Sequence, residues 1–103
     1  PMFGHVFAAI DEKRKVRISY VDAGEQASER VIWPLGAFFW GAAWTALAWC
    51  ELRDDFRSFR LERIGALDKL AETYPDMPGR RLTDYFRLLQ YTHEVPMSDF
   101  DPL

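Results

Sequence analysis

The chain has 103 residues and a mass of 12.0 kDa, the size of one compact domain, which excludes a multidomain enzyme. Hydrophobic residues make up 49% of the chain and charged residues 28%, a composition that excludes an intrinsically disordered protein. The formal net charge of −3 excludes a long-range attraction of the whole chain for nucleic acid or an anionic membrane, so any anion site must be local.

The cysteine content and the apolar segments bear on the cellular compartment. One cysteine, Cys50, permits no internal disulfide, which favours a reducing compartment. The nearly uncharged stretch 31–50 is about long enough to raise the question of a membrane span, but Pro34, Gly36 and Gly41 interrupt it. The N-terminus shows no signal-peptide pattern. We therefore predict a cytoplasmic protein with no membrane partner.

The N-terminal segment predicts a helix followed by a strand. Phe3, Val6, Phe7 and Ile10 recur at helical spacing, which indicates a capping helix over residues 3–14. Alternating apolar and polar residues over 16–20 then predict a half-buried strand, and the residues that follow favour a turn.

Four more strands are predicted after this turn. The returning strand, about 29–39, contains Pro34, which places that point at a sheet edge or a bend. Further strands are predicted over 44–52, 56–64 and 66–70. Five short strands with a flanking helix favour a mainly β fold, a small barrel of the SH3 or Sm type over residues 15–72.

The strand 44–52 has two different sets of alternate residues. One set predicts a crowded inner face made mostly of small residues: Trp44, Ala46, Ala48, Cys50 and Leu52. The other set is mixed in character and predicts a partly exposed surface that carries Trp49.

The C-terminal part predicts a loop, a helix and a tail. Residues 73–81 are a loop by composition, and apolar residues at helical spacing indicate a C-terminal helix over 82–91. Residues 92–103 contain two prolines and predict a loose tail. We take residues 1–103 as a single domain.

Catalysis is difficult to build from these residues. His5 and His93 have no Cys, Ser or carboxylate at the spacing of a metal site or a catalytic triad. Cys50 shares the apolar parity of its strand and is expected to be a buried small hydrophobe. No Gly-rich phosphate loop, CxxC or GxSxG motif is present. We expect no enzymatic activity, no cofactor and no metal.

The distinctive feature is a run of arginines, Arg53, Arg57, Arg60 and Arg63, interleaved with aromatic residues. Arginine suits bidentate recognition of phosphate or carboxylate, and neighbouring aromatic rings can stack on bases. The alternative is that nearby acidic residues pair with these arginines and the run only solvates the surface. On residues alone, the two interpretations have equal weight.

The segment 33–64, WPLGAFFWGAAWTALAWCELRDDFRSFRLERI, closely resembles the WYL domain of bacterial helix-turn-helix regulators of the YafY type. The resemblance continues through AIDEKRKVRISYVDAGEQASERVIWPLG upstream and PGRRLTDYFRLL downstream, and covers about residues 6–90. The triplet that names the family reads Trp44-Thr45-Ala46 here, so its Tyr and Leu are replaced.

The resemblance implies a ligand-sensing domain with an SH3-like or Sm-like barrel, and it assigns candidate ligand residues. Arg53, Arg57, Phe59 and Arg63 match the family's R-x-x-x-R-x-F-x-x-x-R run. The remaining candidates are Arg60, which follows the Phe, Tyr20 and Trp44, which match aromatic positions, and Trp49, which shares the strand parity of the lost Tyr.

The function implied is a non-enzymatic regulatory module of a bacterial transcription regulator. It would bind a nucleotide-like or short single-stranded nucleic-acid effector, with a helix-turn-helix domain in cis if the natural chain is longer. The alternative is a structural module that forms a homodimer, with the arginines in intersubunit salt bridges.

Overall fold

The secondary structure follows the predicted order of a helix, five strands and a second helix. The structure is a computed structural model that describes residues 1–92, apart from the side chains of residues 40 and 90–92. Its elements are α1 (Met2–Glu12), β1 (Arg14–Val21), β2 (Ala27–Trp40), β3 (Ala43–Cys50), β4 (Asp55–Arg60), a 3₁₀ turn (Leu61–Arg63), β5 (Ile64–Thr73) and α2 (Leu82–Thr92). The predicted loose tail, residues 92–103, lies outside the described residues except for Thr92, which ends α2.

The strands form one antiparallel sheet in the order β4-β3-β2-β1-β5. The sheet is open, since within residues 1–92 the ladder ends at β4 on one side and at β5 on the other. The predicted SH3-like or Sm-like closed barrel is therefore not confirmed. The physical reason is the 3₁₀ turn Leu61–Arg63, which interrupts the predicted strand 56–64 and leads β5 to pair with β1 instead of β4.

The inner face of the sheet carries the main core. Its buried residues come from every strand and from α1: Ala9, Val16, Ile18, Tyr20, Ile32, Ala48, Cys50, Phe59 and Ile64. Helix α1 lies on this face through Val6 and Ala9, which are both buried. Phe3 and Phe7 remain more than a third exposed, so the predicted helical stripe is only partly correct.

The outer face of β3 is also buried, contrary to the prediction for this strand. Thr45, Leu47 and Trp49 are all buried, like the small residues of its inner face. Trp33 and Trp49 are direct cross-strand partners, and Tyr85 of α2 is among the residues that pack against this cluster. The prediction failed because the residues that cover this face are distant in sequence. The prediction that Leu52 belongs to the inner face is also wrong, because Leu52 lies exposed beyond the end of β3.

Pro34 lies at a bend in β2, at a point where the strand is paired on one side, as its missing N–H predicted. The register of β2 against β3 shifts between Pro34 and Gly36, and the pairing of β2 with β1 ends at Ile32. The shift leaves one extra residue on β2, which bends the strand over the core. The Pro34 carbonyl accepts a 2.7 Å hydrogen bond from the Tyr74 hydroxyl, so the bend is also an attachment point for the chain after β5.

The turn between β2 and β3 consists of two residues with positive φ, Gly41 at 61° and Ala42 at 67°. Two-residue hairpins with this backbone favour Gly or Asn at both positions, because a Cβ is strained in the left-handed region. The side chain of Ala42 is therefore strained by the backbone conformation of this turn.

We predict that Ala42→Gly raises the free energy of unfolding by about 0.5 to 1 kcal/mol, because it removes the strained Cβ from an exposed turn. Urea unfolding followed by circular dichroism measures the change. The matched control is Ala43→Gly, which removes a buried methyl group from the adjacent position and should destabilise the protein. Equal effects of the two substitutions would contradict the proposed strain.

Candidate functional site

The four predicted arginines lie on different surfaces. Arg53 is exposed in the turn between β3 and β4. Arg57 lies opposite Ala48 and shares its inner face, whereas Arg60 lies opposite Thr45 on the outer face. Arg63 belongs to the 3₁₀ turn and donates a 2.8 Å hydrogen bond to the carbonyl of Asp22. The structure therefore does not bring the four guanidinium groups together on one surface.

Two of these arginines have acidic partners nearby in the sequence. Arg57 pairs with Asp55 at 3.2 Å, and Arg60 pairs with Glu62 at 3.1 Å. For these two, the interpretation as locally paired surface charges has structural support. The Nε atoms of both are nevertheless buried without a hydrogen-bond partner among the described residues, so each arginine keeps an unused donor.

The predicted aromatic ligand residues are also separated. Tyr20 is buried on the inner face, where its hydroxyl accepts a 3.0 Å hydrogen bond from the backbone N–H of Arg60. Trp44 is six residues before Cys50 along β3, about 20 Å away, and packs with Phe3 and Phe39.

Trp49 is buried and not available for stacking in this conformation. Its ring lies 5.1 Å from that of Phe56 in an edge-to-face contact, and the Arg80 guanidinium lies 4.5 Å from its centroid. Only 9% of the residue is exposed. A base could stack on Trp49 only if Arg80 moved.

The sequence analysis missed Arg30, which has the most unusual environment of the arginines. It is only 6% exposed, on the inner face of β2. Its Nε donates to Ser28 Oγ at 3.2 Å and its Nη1 to Cys50 Sγ at 3.7 Å, and the guanidinium lies 5.6 Å from the Phe59 ring centroid. Within residues 1–92, no carboxylate pairs with Arg30. A buried guanidinium normally has an anionic partner, because an unpaired buried charge is costly.

Arg57 lies on the same face of the sheet as this guanidinium. Cys50, which contacts Arg30, is the cross-strand partner of Asp55, and Asp55 forms the ion pair with Arg57. Both cations therefore lie on the inner face, on the two strands that flank β3. We call this group the Arg30 site and define it as Ser28, Arg30, Cys50, Arg57 and Phe59.

The chemistry of the Arg30 site suits a small oxyanion. Each guanidinium has five N–H donors in a planar fork that matches phosphate or carboxylate. Arg30 uses only two contacts within the described residues, to a hydroxyl and a thiol, and neither carries a carboxylate charge. The site can therefore accept an anion without first breaking an ion pair of Arg30. Among residues 1–92, no group of three His, Cys, Asp or Glu side chains could hold a metal ion.

A sequence signal for Arg30 existed. Arg30 and Ile32 are two residues apart in β2, so their side chains lie on the same face of the strand. If the apolar Ile32 is predicted to face the core, Arg30 is predicted to face it too. A charged residue at an inward strand position is rare unless it has a partner or a function. Attention to parity in β2, and not only to the arginine run, would have identified it.

A second polar cluster lies on the outer face, around Glu51. Its carboxylate accepts a 2.8 Å hydrogen bond from Trp33 Nε1 and pairs with Lys15 at 2.9 Å. Burial by itself would raise the pKa of Glu51, but the hydrogen bond from Trp33 and the ammonium group of Lys15 outweigh it and lower that pKa.

Comparison with known proteins relates the chain to a domain family and to a solved structure. The family model described as the WYL domain matches residues 1–69. The structure is similar to that of proteasome accessory factor B/C (PafBC) of Arthrobacter aurescens, with 27% sequence identity and a TM-score of 0.67 over 72% of this chain. The match spans only 12% of the PafBC chain. A search of curated proteins finds no significant match.

We predict that Glu51→Gln reduces the loss of stability on acidification. The folded-state pKa of Glu51 lies below the ordinary value of 4.5, so its ionised form stabilises the fold above that pH, and this contribution disappears as the pH falls through the folded-state pKa. Melting temperatures at pH 7 and pH 3 measure the effect, and the wild type should lose more than the variant. An identical loss in both proteins would exclude Glu51 as a contributor.

We also predict that Arg30→Met leaves the free energy of unfolding unchanged or raises it by up to about 3 kcal/mol, because it replaces an unpaired buried charge by an apolar chain of similar length. Ile32→Ala, at the next inward position, should instead cost about 2 to 5 kcal/mol. Urea unfolding of both variants checks the contrast. A loss above about 1 kcal/mol for Arg30→Met would show that Arg30 stabilises the fold and has a structural role.

Proposed function

The chain belongs to the WYL domain family, and from this membership we propose that it is the effector-binding module of a bacterial transcription regulator. The family match includes the whole Arg30 site, since it runs from residue 1 to residue 69. The similar PafBC chain is much longer than this one, so a helix-turn-helix domain in cis is part of the proposal. Within residues 1–92, no helix is long and apolar enough to cross a membrane.

The observation that carries the proposal is the buried, carboxylate-free guanidinium of Arg30. A cation at 6% exposure has lost most of its hydration, so it gains more from an incoming anion than an exposed arginine does. Surface arginines that already have partners contribute little to either stability or binding. We therefore assign the anionic group of the effector, a phosphate of a nucleotide or of a short single strand, to the Arg30 site.

The other predicted residues take different roles in this proposal. Arg57 supplies a second cation on the same face, once its exposed partner Asp55 is displaced by the effector. Arg53 and Arg63 provide positive charge at the periphery. Tyr20 acts indirectly, because its edge-to-face contact with Phe59 fixes the ring beside Arg30.

The alternative of a homodimer held by intersubunit salt bridges has less support. The ion pairs of Arg57 and Arg60 are formed within one chain, with Asp55 and Glu62. Exchange of these partners across an interface would replace existing exposed ion pairs with equivalent ones and would add little free energy. A catalytic role also lacks support, because Cys50 is fully buried and its thiol contacts Arg30, a donor that cannot act as a general base.

We predict that a short single-stranded DNA binds wild-type protein with salt-dependent affinity and that Arg30→Met with Arg57→Ala removes most of this binding. Two to three phosphate contacts correspond to a slope of about −1.5 to −2 for log affinity against log salt. Fluorescence anisotropy titrations at several salt concentrations measure both quantities. The matched control is the double variant Arg17→Ala with Arg87→Ala, which removes two positive charges from exposed positions outside the Arg30 site.

The outcomes separate the two functions. An equal loss of affinity in the two double variants would show that binding depends only on net charge, and it would contradict the Arg30 site. No binding by wild-type protein, combined with a concentration-dependent mass in sedimentation, would favour the homodimer. Mononucleotides in the same titration distinguish a nucleotide-like effector from a strand.

A further inference from the structure

The outer face of the sheet is covered by chain that lies beyond the family match. Residues 74–85 follow β5, whereas the WYL match ends at residue 69. Tyr74, Met77 and Tyr85 of this segment pack against the aromatic cluster of Trp33, Trp49 and Phe56. We call residues 74–85 the cover.

Arg80 of the cover lies over both indole rings of the outer face. Its guanidinium carbon is 4.5 Å from the centroid of Trp49 and 5.2 Å from that of Trp33. Its ion pair with Asp54 is 3.5 Å long, and the Asp54 side chain is 82% exposed. A planar cation thus occupies the ring faces, and its carboxylate partner is well hydrated and weakly held.

The cover leaves a polar atom beneath it without a partner. Trp49 Nε1 is buried and forms no hydrogen bond with any described residue. Trp33 Nε1, in contrast, donates to Glu51 at 2.8 Å. Buried donors are nearly always satisfied in a native structure, so an unsatisfied indole N–H requires an explanation.

The polar attachments of the cover to the rest of the described fold are few. The Tyr74 hydroxyl donates to the Pro34 carbonyl, the Tyr74 backbone N–H donates to the Lys13 carbonyl at 2.9 Å, and Arg80 pairs with Asp54. Most other polar contacts of the cover are internal, such as the bidentate pair of Arg81 with Asp76 and the bonds from Gly79 N and Arg81 N to Asp84. The cover is therefore a locally ordered unit that can leave the sheet without breaking its own internal bonds.

We propose that the cover is an autoinhibitory element and that Arg80 occupies the position of a nucleobase. When the cover opens, Trp33 and Trp49 form a stacking platform for a base of single-stranded nucleic acid, and Trp49 Nε1, whose N–H lies in the ring plane, becomes accessible to an acceptor beside the ring. A guanidinium and a base both use the face of an indole ring, so each excludes the other. The ligand class rests on the proposed function, whereas the opening of the cover does not.

The central experiment compares Arg80→Ala with its neighbour Arg81→Ala. Both remove one positive charge, but Arg81 pairs with Asp76 and touches neither indole. Titration with oligothymidylate should show that Arg80→Ala binds about five to ten times more tightly than wild type, as one uncovered stacking contact implies. Arg81→Ala should bind equally or more weakly, as loss of a cation requires. Trp49→Ala in the Arg80→Ala background should abolish the gain.

Hydrogen exchange measures the opening of the cover without any ligand. Amides of residues 74–85 should exchange faster in Arg80→Ala, and faster to a lesser degree in Asp54→Asn, which removes only the ion pair. Amides of β2 and β3 serve as the internal reference for folding.

The results separate this inference from the proposed function. Faster exchange in the cover with unchanged or weaker oligothymidylate binding overturns the stacking platform. Unchanged exchange and unchanged binding overturn the autoinhibitory cover. The third comparison adds Arg30→Met and Arg57→Ala to the Arg80→Ala variant. If the gain in binding remains, the stacking platform is supported, and only the proposed Arg30 site is contradicted.

Discussion

The burial of β3 on both faces is the constraint on which the rest of this structure depends. A sheet of five strands has two faces, and helix α1 packs against only one of them. The large aromatic residues of the other face, Trp49 with Trp33 and Phe56, must also be removed from water. The chain satisfies this requirement with residues 74–85, which the family match does not include. The small residues Ala46 and Ala48 serve the opposite face, where α1 lies close to the sheet.

This constraint determines which arginines are candidates to bind an anion. Arg60 lies on the outer face with an exposed carboxylate partner, so its charge is largely compensated. Arg30 lies on the inner face, where apolar residues form the main core and no described carboxylate pairs with it. An anion gains most from a cation that has lost its water and has no competitor. Burial and the absence of a partner, and not the number of arginines in the run, therefore distinguish the candidate site.

The two faces also connect the candidate site to the cover. The turn after β3 carries Asp54, which pairs with Arg80 on the outer face, and is followed by Asp55, which pairs with Arg57 on the inner face. Asp54 has a positive φ of 54°, a backbone conformation that is strained for a residue other than glycine. A movement of one residue of this turn is therefore expected to move its neighbour as well. A ligand that displaces Asp55 acts on the cross-strand partner of Cys50, where β3 itself ends.

The sequence by itself determined the order of the elements, the family and the positions of most turns. The family followed from the resemblance of residues 33–64 and their flanks. The order of the elements and the turns depend on local periodicity and turn chemistry, as in the two-residue turn at Gly41 or the start of α2 at Leu82. Only the tertiary structure decided that the sheet stays open, that Arg30 is buried without an acid, and that Arg80 lies over the tryptophans. Each of these depends on register and on contacts between residues distant in the chain, because the side of the sheet a residue faces and what covers that side are settled by packing rather than by the residue's neighbours.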